Sequence, residues 1–124
     1  MEKQKYAAIV LAAGSGKRMN SQVHKQYLII QDRPVLYYSL KEFQDSAVDE
    51  IVLVVGKGEE KFCRKEIVDK YGISKVKAIV EGGKERYHSV FEGLKQTSDA
   101  DYVLIHDGAR PFVNQDIIRR CMLE

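Results

Sequence analysis

Cysteine is scarce in this chain, long apolar runs are missing, and neither sign of charge dominates. Each shortage removes a class of protein. The two cysteines, Cys63 and Cys121, are far apart in sequence, with no metal-ligand spacing. They argue against a disulfide framework and for a reducing cytoplasm as the setting. The N-terminal apolar run, Tyr6 to Ala13, stops at Gly14 and is too short for a membrane span or a secretory signal. A formal net charge of +2 is too small to point to nucleic acid or a membrane surface. His24 and His88 have no zinc-ligand company, and no spacing suggests a Ser–His or Cys–His nucleophile. Repeats, low-complexity tracts and linkers are also missing. What remains is an ordinary globular composition, 44% hydrophobic and 31% charged over 124 residues. That length supports one domain, 1–124, with a core of its own.

Four apolar runs recur along the chain: Tyr6 to Ala13, Ile51 to Val55, Val76 to Val80 and Tyr102 to Ile105. The first, second and fourth are continuous rather than alternating, the pattern of parallel strands covered on both faces. Helical spacing fills the intervals. Pro34 opens one helix, with Leu36, Leu40 and Phe43 on a single side. Glu59 to Tyr71 forms a second, with Phe62, Ile67 and Val68 inward and Gly72 as its stop. Arg86 to Gln96 forms a third, with Tyr87, Val90, Phe91 and Leu94 as its apolar stripe. Alternating strands and helices predict an α/β fold, a Rossmann-like three-layer sandwich around a mostly parallel sheet. Asn114 or Gln115 begins an amphipathic pattern that runs to Glu124 without a cap, so the domain reads as truncated.

Ligands of such sheets bind beyond the carboxyl ends of the strands. The first of those ends reads Ala12-Ala13-Gly14-Ser15-Gly16-Lys17-Arg18-Met19. Glycines there let backbone N–H groups approach a phosphate, and Lys17 and Arg18 add positive charge. It is neither a dinucleotide fingerprint, which needs glycine where Met19 stands, nor a Walker A loop, which needs glycine where Leu11 stands. An exposed lysine is ordinarily a solvated cation; Lys25 gains interest because it and Arg18 can bracket a ligand. In Glu81-Gly82-Gly83-Lys84-Glu85-Arg86, paired glycines open a helix whose N-terminus adds partial positive charge. Arg86, Ser89 and Gly93 share a face apart from the apolar stripe. Ser89 has a hydroxyl to offer a base, Gly93 reads as a close-packing position, and His88 reads as a helix surface residue. In His106-Asp107-Gly108-Ala109-Arg110-Pro111, Asp107 ends a buried strand, a position suited to Mg²⁺ or to an ion pair with Arg110. His106 points to the opposite face and reads as a hydrogen-bonded packing residue.

Together these four loops resemble those of the 2-C-methyl-D-erythritol 4-phosphate cytidylyltransferases of non-mevalonate isoprenoid biosynthesis. The motifs are Leu11 to Met19, Lys25-Gln26-Tyr27, Gly82-Gly83 with Arg86 and Ser89-Val90, and His106 to Pro111, in that order. The resemblance implies a nucleotidyltransferase fold, CTP and methylerythritol phosphate as substrates, and Mg²⁺ or another divalent cation as cofactor. It implies catalytic cations at Arg18 and Lys25. CTP would lie against Ala12, Ala13, Gly14, Ser15, Gly16, Gly82, Arg86, Ser89, Asp107 and Gly108, with Asp107 near the metal through the nucleotide phosphates. It also implies a cytoplasmic homodimer whose second half carries the sugar-phosphate site and a dimer-forming arm, beyond the span of this chain. His24 stands where the family often has proline. Two alternatives are a ribitol 5-phosphate cytidylyltransferase, against which Ala12-Ala13-Gly14 and Asp107-Gly108-Ala109 speak, and a non-catalytic nucleotide-binding fragment.

Overall fold

A computed structural model describes residues 4–12, 29–30, 33–108 and 118. Its elements follow in the order β1 (Tyr6–Ala12), β2 (Ile29–Ile30), β3 (Arg33–Pro34), α1 (Val35–Gln44), β4 (Glu50–Val55), α2 (Glu60–Cys63), β5 (Val76–Glu81), α3 (Arg86–Lys95) and β6 (Tyr102–Asp107). α2 runs on as a π-helical segment, Arg64–Asp69. Gly72 then turns the chain with φ +65°, a left-handed conformation that glycine adopts without a Cβ penalty. β2 and β3 make a short antiparallel pair.

The main sheet has four strands in the order β5-β4-β1-β6, and each neighbouring pair is parallel. Continuous apolar sequence becomes continuous burial in its two central strands. Every residue of β4, and every residue of β1 after the half-buried Tyr6, is buried. Alternation divides their side chains between two cores. Ala8, Val10 and Ala12 join Ile51, Leu53 and Val55 under Leu36, Leu40 and Phe43 of α1 and Cys63, Ile67 and Val68 of the second helical segment. On the other face Ile9, Leu11, Val52 and Val54 form a smaller core with Val90 of α3. Helices therefore lie on both faces, as the alternation of elements predicts.

Three expectations fail, each for reasons of position. β6 is not buried: it borders the described sheet, and Tyr102 and Ile105 are 45% and 43% exposed. Of the stripe predicted for α3 only Val90 packs on the sheet, while Tyr87, Phe91 and Leu94 are 68%, 57% and 41% exposed. The face turned to the sheet also carries Ser89 and Gly93. A Cβ on Gly93 would stand 2.8 Å from Cγ2 of Ile9 and 3.2 Å from Cγ2 of Val54, so the missing side chain lets the helix settle on the strands. Phe62, expected inward, is also exposed, and Cys63 takes the buried position beside it.

The amino ends of the strands are closed by charge. Glu50, with a side chain 10% exposed, receives Lys77 at 3.2 Å and Lys5 at 3.4 Å. Lys5 also meets Asp99 at 2.6 Å, and the hydrogen bond between them is the first cause of a lowered Asp99 pKa and a raised Lys5 pKa. Asp49 and Asp101 accept the backbone N–H groups of Tyr6 and Lys5 at 2.8 and 2.6 Å.

The close approach of α3 predicts the cost of filling it. Gly93→Ala should destabilise the fold by about 1–3 kcal/mol, the usual range for overpacking a tight interior. Urea denaturation checks this, and an unchanged midpoint would mean that α3 does not rest on Ile9.

Candidate functional site

Parallel strands bring their carboxyl ends to one side of the sheet. Here Ala12 stands opposite Val55, Val55 opposite Glu81, and Asp107 opposite Leu11. Between β5 and β6 lie three interstrand intervals, roughly 14 Å at about 4.8 Å each. That width suits an extended small molecule lying across the strand ends.

The described site residues form two groups on either side of β1. On the β5 side, the N–H of Gly82 donates to the carbonyl of Val55 at 2.7 Å, carrying the sheet ladder one residue past Glu81. Arg86 begins α3 and is exposed, whereas Ser89, one turn further, is 4% exposed on the sheet-facing side. On the β6 side, Asp107 is half-buried at the strand end and Gly108 is buried. The N–H of Gly108 donates to the carbonyl of Leu11 at 2.8 Å. A Cβ there would lie 2.7 Å from Cδ1 of Leu36 and 3.1 Å from that carbonyl oxygen, so the turn is drawn tightly over β1. Ala12 ends β1 between the two groups and is buried. Ala13, Gly14, Ser15, Gly16, Lys17, Arg18, Lys25 and Arg110 lie outside the described residues.

His106 behaves as its position in the strand predicts. Its Nε2 lies 3.2 Å from Oγ of Ser39 on α1, and its ring meets Phe43 edge-on at 5.6 Å. This contact anchors the end of β6 from the face opposite Asp107. A carboxylate at a strand end also suits a hard divalent cation, which typically takes one or two protein carboxylates and completes its shell with phosphate and water oxygens. Among the described residues no cluster of three or more His, Cys, Asp or Glu offers an all-protein metal cage.

Two contributors are not evident from sequence. Oε2 of Glu81 accepts the N–H of Gly58 at 2.6 Å and ties together the loops that follow β4 and β5. The only sequence signal for it is a carboxylate at a strand end with a glycine loop elsewhere. The second is His88, whose Nδ1 accepts the N–H of Glu85 at 3.2 Å. Its signal is the Glu-x-x-His spacing at a helix start, and its surface reading is corrected to that extent: the ring is exposed but bonded.

A groove of about 560 Å³ runs along the outer side of the β5–α3 connection, with Glu60, Glu81, Gly82, Gly83, His88, Phe91 and Glu92 in its wall. Three carboxylates around this space repel a triphosphate. Ser89 is not in that wall and turns toward the sheet instead.

The family model for 2-C-methyl-D-erythritol 4-phosphate cytidylyltransferase matches residues 6–124. A curated enzyme of that name from Lachnoclostridium phytofermentans is 53% identical over 121 residues, 98% of this chain and 52% of its own length. One from Clostridium kluyveri is 54% identical over 112 residues, 90% of this chain and 48% of its own. The crystal structure of 4-diphosphocytidyl-2C-methyl-D-erythritol synthase from Anaerococcus prevotii superposes with a TM-score of 0.78 at 32% identity, covering 97% of this chain and 50% of that one. The chain thus spans about half the length of the curated relatives it matches.

The anchor beneath Asp107 carries an expected outcome. Ser39→Ala should lower stability by about 1 kcal/mol through loss of one partly buried hydrogen bond. It should also shift the ring resonances of His106. Unchanged ring resonances would show that the two side chains do not meet in solution.

Proposed function

We infer the activity from one premise: this chain belongs to the 2-C-methyl-D-erythritol 4-phosphate cytidylyltransferase family. The protein that carries it transfers the cytidylyl group of CTP to 2-C-methyl-D-erythritol 4-phosphate. An oxygen of the substrate phosphate attacks the α-phosphorus of CTP. The bond from that phosphorus to the bridging oxygen breaks, and pyrophosphate leaves with the electron pair. Little covalent work falls to the protein, so its part is alignment and stabilisation of charge on the phosphoryl oxygens.

This chain supplies the nucleotide side of that arrangement. Arg18 and Lys25 stabilise charge at the α-phosphate, and Gly14, Ser15 and Gly16 offer backbone N–H groups to the triphosphate. Ala12 and Ala13 run beside the nucleotide, and Gly108 lies by the ribose. Gly82 and Ser89 read the base, with Arg86 shaping their loop. The observation that carries this reading is the state of Gly82, whose N–H is committed to Val55 at 2.7 Å. The group it has left for a base is its carbonyl, an acceptor. An acceptor suits the exocyclic amino group of cytosine and opposes the carbonyl that uracil has at the same position. Asp107 would hold a divalent cation, which when bound neutralises triphosphate charge.

The second substrate site and a homodimeric assembly belong, on this reading, to the full length of the protein, since the chain spans about half of its curated relatives. A cytoplasmic location is proposed with them; among the described residues no helix is long and apolar enough to cross a membrane.

Turnover tests the assignment. In a full-length protein carrying this chain, Arg18→Ala and Lys25→Ala should each lower kcat by roughly 10²–10³-fold, the scale of losing one electrostatic stabiliser. Pyrophosphate release with methylerythritol phosphate should far exceed that with ribitol 5-phosphate. Near-normal turnover in both variants, or a preference for ribitol 5-phosphate, would refute the assignment.

A further inference from the structure

His88 is exposed, yet it holds the turn from which the base would be read. The N–H of Glu85 donates to its Nδ1 at 3.2 Å. Its own N–H returns to the carbonyl of Glu85 at 3.0 Å, and that of Ser89 reaches the same carbonyl at 3.2 Å. The pair closes the head of α3 as a capping box does, with an imidazole in place of the usual Glu or Gln at the third helical position. The turn is also pressed against this residue. A Cβ on Gly83 would collide with Cβ of His88 and stand 3.0 Å from its Cγ. At its other end the turn is fixed by the hydrogen bond from Gly82 to Val55. Residues 82–85 are therefore tied at both ends, to β4 through Gly82 and to α3 through His88.

The neighbouring residue makes this arrangement consequential. Ser89 follows His88 with a rotation of about 100° around the helix, which takes it from the outer groove to the sheet-facing side. One short stretch thus has a brace on the outside and a buried hydroxyl on the inside. We propose that His88 is a positioning residue for base recognition, setting the Gly82 carbonyl relative to the Ser89 hydroxyl from behind the turn. The proposal rests on the reading of this site as a cytidine site. It concerns only the base end of the nucleotide; the triphosphate meets other loops.

That separation provides the test. CTP, UTP and inorganic tripolyphosphate are titrated calorimetrically into the wild-type chain and into His88→Ala and His88→Gln, and exchange of the Glu85 amide is followed by NMR. His88→Ala removes the acceptor for Glu85, whereas glutamine returns one at the same helical position. His88→Ala should weaken CTP binding about five- to tenfold, the scale of one hydrogen bond's worth of ordering, and leave tripolyphosphate within about twofold. Exchange at Glu85 should quicken, and His88→Gln should restore both properties. Unchanged CTP affinity in His88→Ala, or equal losses for CTP and tripolyphosphate, would overturn the role of His88. A wild-type chain that binds CTP no better than UTP would overturn the cytidine reading itself, and this inference with it.

Discussion

β1 is hydrogen-bonded along both edges and covered on both faces, and the other elements take their positions from it. Its partners β4 and β6 run parallel to it, so all three strands send their carboxyl ends the same way. Its side chains alternate between the α1 core and the α3 core. A β-branched or aliphatic residue at every buried position leaves no room for a shift in register. One residue of slippage would exchange the two cores and bring Ile9 beneath α1, where Ala8 and Val10 now leave space. The site inherits this rigidity. Gly82 and Gly108 both extend the sheet ladder by one hydrogen bond beyond the strands themselves. The turns at Gly82 and Gly108 are thus continuations of the most constrained part of the molecule.

The two ends of the sheet answer different needs. At the amino ends, Lys5, Glu50, Lys77 and Asp99 form a connected ion network, and aspartates accept the first strand N–H groups. Polar groups there are satisfied within the protein. At the carboxyl ends, short glycine-containing turns replace that network, and the N–H groups of Gly82 and Gly108 are bonded to the neighbouring strands. Glu60, Glu81 and Glu92 line the outer groove, and Asp107 stands at the end of β6.

Much of this was legible in the residues. Unbroken apolar runs identified β1 and β4, and the spacing of Leu36, Leu40 and Phe43 identified the buried face of α1, because in these elements burial follows hydrophobicity directly. For α3 it does not. The sheet beneath it already fills the space with Ile9 and Val54, so the helix approaches through its smallest residues and Tyr87, Phe91 and Leu94 are left outside. Periodicity reports which residues are apolar and is blind to how much room the partner surface leaves. β6 misled for a related reason: its composition suits two covered faces, but coverage depends on what lies beyond it in the sheet. The glycines and charged residues of the candidate site were recognisable as motifs at strand ends. The brace formed by His88 was not, since its part depends on the close approach of Gly83 and on a hydrogen bond to the backbone of Glu85.

The central claim is that the strand ends on either side of β1 act as one nucleotide site. An amide-resolved NMR titration of the chain with CTP and Mg²⁺, against ATP and Mg²⁺, tests it most directly. The account predicts that CTP shifts Gly82, Ser89 and Gly108 together at one saturating concentration, and that ATP leaves Ser89 undisturbed. Shifts confined to one side of β1, with Gly108 unmoved, or an identical pattern with both nucleotides, would contradict it.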